Sequence, residues 1–126
     1  MIGLPDETRD NVFETISLSR KAYKILKGKC SMNVFTFIPF SGTRLREVSI
    51  EKEYITGDED IPISFFDRSI LTMPSMSKEE LYGLEKTFVL YVTLPDSYYS
   101  DIKIAEKEDE EGKNMFEKLM KIKEKL

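Results

Sequence analysis

The sequence predicts an α/β fold in which a strand-helix-strand unit leads into a mainly helical second half. Two observations carry this. Residues 7–27 repeat apolar groups three and four positions apart, the period of an amphipathic helix. The phrase MNVFTFIPF then sets Val34, Phe35, Phe37 and Ile38 in nearly continuous succession, the pattern of a parallel strand covered on both faces. With Met1 and Ile2 as the stub of a preceding strand, the order strand, helix, strand implies a parallel pair joined by a right-handed crossover.

Each element follows from its own residues. The first helix carries apolar groups at Val12, Phe13, Ile16, Ala22, Tyr23, Ile25 and Leu26, with charges between them. Asp6, Glu7 and Asp10 stand at its start and Lys24 and Lys27 at its end, as the helix dipole favours, and Gly28 is placed to close it. Pro39 ends the second strand. A second helix begins in SGTRLREVSIEKEY, with the Ser41 or Thr43 hydroxyl as N-cap. TGDEDIPISFFDRSILTMPSM has no clear period and two prolines, so it reads as loop with a short strand at Ile63 to Phe66. A connection this long lies over a surface or a site. Ser77 with Glu80 three residues on is a capping-box pattern, and the helix it opens grows apolar towards Pro95. The rest reads as one or two helices interrupted near Gly112, with Met115, Phe116, Leu119 and Ile122 on one stripe.

Composition limits the chemistry. At 126 residues with 40% apolar content the chain is sized for one core. No apolar run reaches the roughly 18 residues of a membrane helix, and no signal peptide is legible, so a cytoplasmic protein is expected. A net charge of −4 offers no general attraction for nucleic acid. The basic residues Arg20, Lys21, Lys24, Lys27 and Lys29 read as a solvated helix face, and so does the acidic run Glu106 to Glu111, whose side chains do not converge on one cation. One cysteine, Cys30, and no histidine exclude an intramolecular disulfide, a Cys-His dyad, a Ser-His-Asp triad and an imidazole metal site. Cys30 has no visible activating partner and reads as an ordinary thiol. No catalytic and no metal-ligating residue is assigned.

The phrases IGLPDET, ETI and FTFIPFSGTRLRE, in that order, resemble the fifth and sixth strands of radical S-adenosylmethionine enzymes and the turns that follow them. The tail, LEKTFVLYVTLP with IKIAEKEDEEG, resembles the C-terminal extension of the branch that pairs this barrel with a cobalamin-binding domain, which includes anaerobic magnesium-protoporphyrin monomethyl ester cyclases. The resemblance implies that residues 1–56 are the last strand-helix-strand part of a partial (β/α) barrel with its following helix, 57–76 a loop, and 77–126 a helical C-terminal extension.

Ligands of such barrels lie at the C-terminal ends of the strands. The resemblance therefore implies that Met1, Ile2 and Gly3 and the segment Phe37, Pro39, Phe40 flank the adenine of S-adenosylmethionine, and that Glu7 bonds local backbone to hold the first turn. Asp6 stands where the family has glycine, and Asp tolerates a left-handed backbone better than most residues. The family's [4Fe–4S] cluster needs a CxxxCxxC loop, which one cysteine cannot supply. Cluster and cobalamin would thus belong to an absent N-terminal part, and the chain would supply part of the S-adenosylmethionine cavity without catalysing alone. An isolated half-barrel exposes strand edges, so self-association is a further expectation. Two other readings stand beside this one: a stand-alone small-molecule-binding or protein-interaction module, and a structural relic without binding activity.

Overall fold

The computed structural model describes residues 1–61 and 68–126. Five helices make up its regular structure: α1 (Arg9–Ile25), α2 (Arg44–Glu51), α3 (Lys78–Thr93), α4 (Tyr99–Ala105) and α5 (Glu110–Glu124), with a 3₁₀ turn at Asp96–Tyr98 leading into α4. The strand expected at Ile63 to Phe66 lies outside the described residues.

Local chemistry starts most of the helices. Thr8 caps α1 in a reciprocal box: its hydroxyl accepts from the Asn11 N–H, and the Asn11 side chain accepts from the Thr8 N–H. Thr43 caps α2 by accepting from the Arg46 N–H. Ser77 caps α3 by accepting from the Glu80 N–H, while the Glu80 carboxylate turns away to Arg9 at 3.3 Å. Asp109 caps α5 through the Gly112 N–H at 2.7 Å. Leaving these first-turn donors without partners would weaken each helix start.

The apolar end of α3 forms the centre of the core. Leu81, Leu84, Phe88, Leu90, Tyr91 and Val92 are buried along it. Val12 and Ile16 of α1 pack from one side, Ile102 and Ala105 of α4 and Leu119 of α5 from the other. α3 thus touches α1, α4 and α5, whereas α2 stands outside this packing. Phe13, Tyr91 and Tyr99 meet edge to face, with Tyr91 4.9 Å from Phe13 and 5.0 Å from Tyr99.

The α/β expectation is corrected here. The described residues contain no sheet and no named strand. The two expected strands of a partial (β/α) barrel amount to one parallel bridge, Ile2 with Thr36. The physical reason is length. Gly3 turns left-handed at φ 82 directly after Ile2, and the partner segment ends at Pro39, which has no N–H. A pair so short cannot carry a core of its own. The apolar run 34–38 is an extended segment against helices, with Phe37 in the main core.

Three smaller readings also change. Arg20 is not on a solvated face: its guanidinium donates to the carbonyls of Tyr91 and Leu94 and pairs with Asp96 at 2.7 Å. It thereby closes the C-terminal end of α3, where carbonyls lack helical partners. The acidic run is not a continuous helix face, since residues 106–109 form the turn between α4 and α5. The break expected near Gly112 lies at that turn, and Gly112 sits in the first turn of α5 because a Cβ there would fall 2.1 Å from the Lys107 carbonyl oxygen.

Candidate functional site

The two turns marked by the sequence are brought together. Ile2 donates to the Phe35 carbonyl at 2.9 Å and accepts from the Phe37 N–H at 2.8 Å. Because this pairing is parallel, the Gly3 turn and the Ile38–Gly42 turn leave it at the same end.

The first turn is closed by its own residues. Gly3 donates to Glu7 Oε1 at 2.9 Å, and Glu7 donates through its backbone N–H to the Leu4 carbonyl at 3.0 Å. Gly3 is buried, and a Cβ on it would meet Leu81 Cδ2 at 2.6 Å. The close approach that glycine permits is therefore used by α3. Asp6 adopts the left-handed conformation at φ 66.

The second turn is held by side chains. The Phe40 N–H reaches the Ile38 carbonyl at 2.9 Å, and the Thr43 hydroxyl donates to the Phe40 carbonyl at 2.7 Å. Arg46 donates to the Pro39 carbonyl and the Gly57 carbonyl, both at 2.8 Å.

Of the residues the resemblance assigned, Ile2, Gly3, Phe37 and Pro39 are buried and Glu7 is half-buried. Met1 and Phe40 are exposed, at 60% and 41%. The apolar rim of the two turns is thus these two side chains.

Three residues that sequence reasoning passed over hold the site. Arg46 anchors the second turn. Lys52 and Tyr54, just past α2, both donate to the Asp6 carboxylate of the first. Those two bonds hold the Asp6 carboxyl below its ordinary value, the Lys52 bond contributing most. α2 and the residues after it therefore bracket both turns. No local motif marks such a role: the two Asp6 bonds span 46 and 48 residues, and Arg46 bonds backbone carbonyls 7 and 11 positions away, which no residue-type pattern encodes.

Further ionic chemistry lies away from the turns. Arg9 holds Glu106 with two bonds, at 2.9 and 2.7 Å, and Tyr91 donates to the same carboxylate. Burial, together with the bond to Glu106, pushes the Tyr91 phenol upwards, so it stays protonated and donating. Cys30 is half-buried beside Tyr23, Met32 and Lys123. Among the described residues no group of three or more Cys, Asp or Glu is placed to hold a metal ion, and no helix is long and apolar enough to cross a membrane. No family model, curated protein or solved structure matches the chain.

Proposed function

We propose that this chain is part of a radical S-adenosylmethionine enzyme of the cobalamin-binding branch, supplying one wall of the S-adenosylmethionine cavity and not catalysing alone. The observation that supports it is the parallel Ile2–Thr36 bridge, which sends both glycine-containing turns out at one end. The reading concerns these turns and needs no sheet within the chain.

The residues fit the cofactor in part. An adenine edge is recognised by backbone groups at strand ends and its faces by apolar cover. Here Met1 and Phe40 supply exposed apolar surface, while Glu7 and Arg46 keep the two turns in place. An iron-sulfur cluster does not fit this chain, whose only thiol is Cys30. Cluster and cobalamin are assigned to a partner polypeptide in the cytoplasm, the N-terminal part of the enzyme.

The test is calorimetric titration with S-adenosylmethionine, first of the chain alone and then of the chain co-expressed with the polypeptide encoded immediately upstream. We expect no binding by the chain alone and binding by the co-purified pair, with CxxxCxxC in the partner. Tight binding by the isolated chain would overturn the incomplete site. An upstream polypeptide without CxxxCxxC, or one that does not co-purify, would overturn the family reading.

A further inference from the structure

Helix α1 carries apolar groups on two sides. Val12 and Ile16 are buried in the core, while Leu18 and Ile25, two turns apart and so on one side of the helix, are 70% and 78% exposed. Ala22 lies between them, and Leu26 at the helix end is 50% exposed. Scattered aliphatic groups on a surface need no explanation, but these form a continuous stripe away from the core.

Cations surround the stripe. Residues 15–46 hold seven Lys and Arg and no Asp or Glu, in a chain whose net charge is −4. Lys21 stands between Leu18 and Ile25, Lys24 borders them, and Lys27 and Lys29 follow in the turn; all four are exposed. None of the four is in an ion pair among the described residues. Two carboxylates lie near. Glu14, one turn before Leu18, bounds the stripe, and Asp96, which shares a cleft with Lys24, is held by Arg20. With Arg20 and Asp96 cancelling and Glu14 set against the four lysines, three positive charges remain in surplus. On the other flank of the turn, the cleft beside Tyr23, Gly28 and Cys30 is lined by Lys123 and by no carboxylate.

The turn is fixed in place. The Gly28 N–H reaches the Tyr23 carbonyl at 3.0 Å and the Lys29 N–H the Leu26 carbonyl at 2.9 Å, with Lys27 and Gly28 both left-handed. Apolar stripe and basic turn are thus presented together without further ordering.

We infer that this side of α1 and the turn after it dock on an anionic phospholipid surface, with Leu18, Ile25 and Leu26 entering the headgroup layer and the four lysines among the lipid phosphates. Exposed aliphatic groups ringed by lysine suit that partner. Protein interfaces are depleted in lysine, and nucleic-acid surfaces rely on arginine and stacking aromatic rings, neither of which the stripe offers. The surface lies outside the two turns, so it stands or falls independently of the reading above.

The test is co-sedimentation of the whole chain with vesicles of phosphatidylcholine, alone or with about one third phosphatidylserine. Partition onto the anionic vesicles is expected to be at least about ten-fold stronger, and to weaken as salt is raised. Ile25→Ser is expected to weaken it about ten-fold by removing the inserted side chain, and Lys27→Gln combined with Lys29→Gln by a similar factor. Equal partition onto both vesicles means apolar adsorption only, and tighter binding of polyuridylate means a nucleic-acid surface; each overturns the proposal. So does the absence of vesicle binding, or unchanged partition in either variant with native circular dichroism. A vesicle-free dimer that Ile25→Ser turns into a monomer would assign the stripe to a second copy and overturn it as well. Should a variant lose its helical signal, Leu18→Ser, or Lys21→Gln combined with Lys24→Gln, replaces it under the same criterion.

Discussion

The two halves of this chain are held by different physics. Around α3, helices α1, α4 and α5 bury apolar side chains against one another, and polar bonds such as Arg9–Glu106 fasten contacts that packing already makes. Around α2 directional polar bonds are added to packing: the turns at Gly3 and Pro39, whose neighbours Ile2 and Phe37 lie in the core, are also tied by Glu7, Arg46, Lys52 and Tyr54. Hydrophobic burial tolerates small shifts because it is non-directional, whereas a bonded turn fixes backbone position. The packed half should therefore set global stability, and the bonded half should set the geometry of the turns.

The comparison can be broken most forcefully at Leu84. This fully buried side chain lies in the middle of α3, and Leu84→Ala should cost about 3 kcal/mol through lost transfer energy and a residual cavity. Urea unfolding followed by circular dichroism checks it, and a loss below about 1 kcal/mol would mean that α3 is not the organising helix. A smaller effect is expected at Gly3, where a Cβ would push on Leu81 and the left-handed backbone disfavours any side chain. Gly3→Ala should cost about 1–2 kcal/mol, measured by the same unfolding curve. Since only the flexible end of Leu81 must move, a cost as large as that of Leu84→Ala would count against a soft contact.

The arginines of α2 sharpen the contrast. Arg46→Ala removes donors from two carbonyls and should cost about 1 kcal/mol. Arg44→Ala removes only exposed, solvent-screened pairs with Glu47 and Glu51 and should cost clearly less than Arg46→Ala. Equal costs would show that Arg46 is not a tie. The mildest test is pH. The Glu59 carboxylate accepts from the backbone N–H groups of Thr56 and Gly57, and these bonds, that from Thr56 first, depress its pKa from 4.5 to about 2. A depressed folded-state pKa adds stability above the ordinary value, and that addition is lost as pH falls from about 4.5 through about 2. Amide exchange at Thr56 and Gly57 should rise over that window while amides of α3 hold. Simultaneous loss in both would erase the distinction.

Helices were legible in the sequence because their signals are local. The period of residues 7–27, the Thr43 and Ser77 caps and the stripe ending at Ile122 all lie within a few turns of one another. The fold class was not legible. An unbroken apolar run such as 34–38 looks the same whether the segment pairs in a sheet or is pressed against helices, and only the number of partner residues separates the two. The two turns were found from Gly3 and Pro39, and Asp6, where the resembled family has glycine, takes the left-handed backbone that its residue type tolerates. Lys52, Tyr54 and the α3 closure by Arg20 escaped because each acts on a distant segment, and Arg46 because it bonds backbone carbonyls, which carry no residue signature.

The parallel Ile2–Thr36 bridge has a kinetic meaning. Ile2 and Thr36 flank α1 in sequence, so making the two bonds of the bridge, from the Ile2 N–H to the Phe35 carbonyl and from the Phe37 N–H to the Ile2 carbonyl, brings residue 2 back across the whole helix. Loop-closure entropy opposes such a step until α1 has formed and docked on α3. The bridge is then among the last contacts made, and weakening it should quicken unfolding while leaving the rate of refolding nearly unchanged.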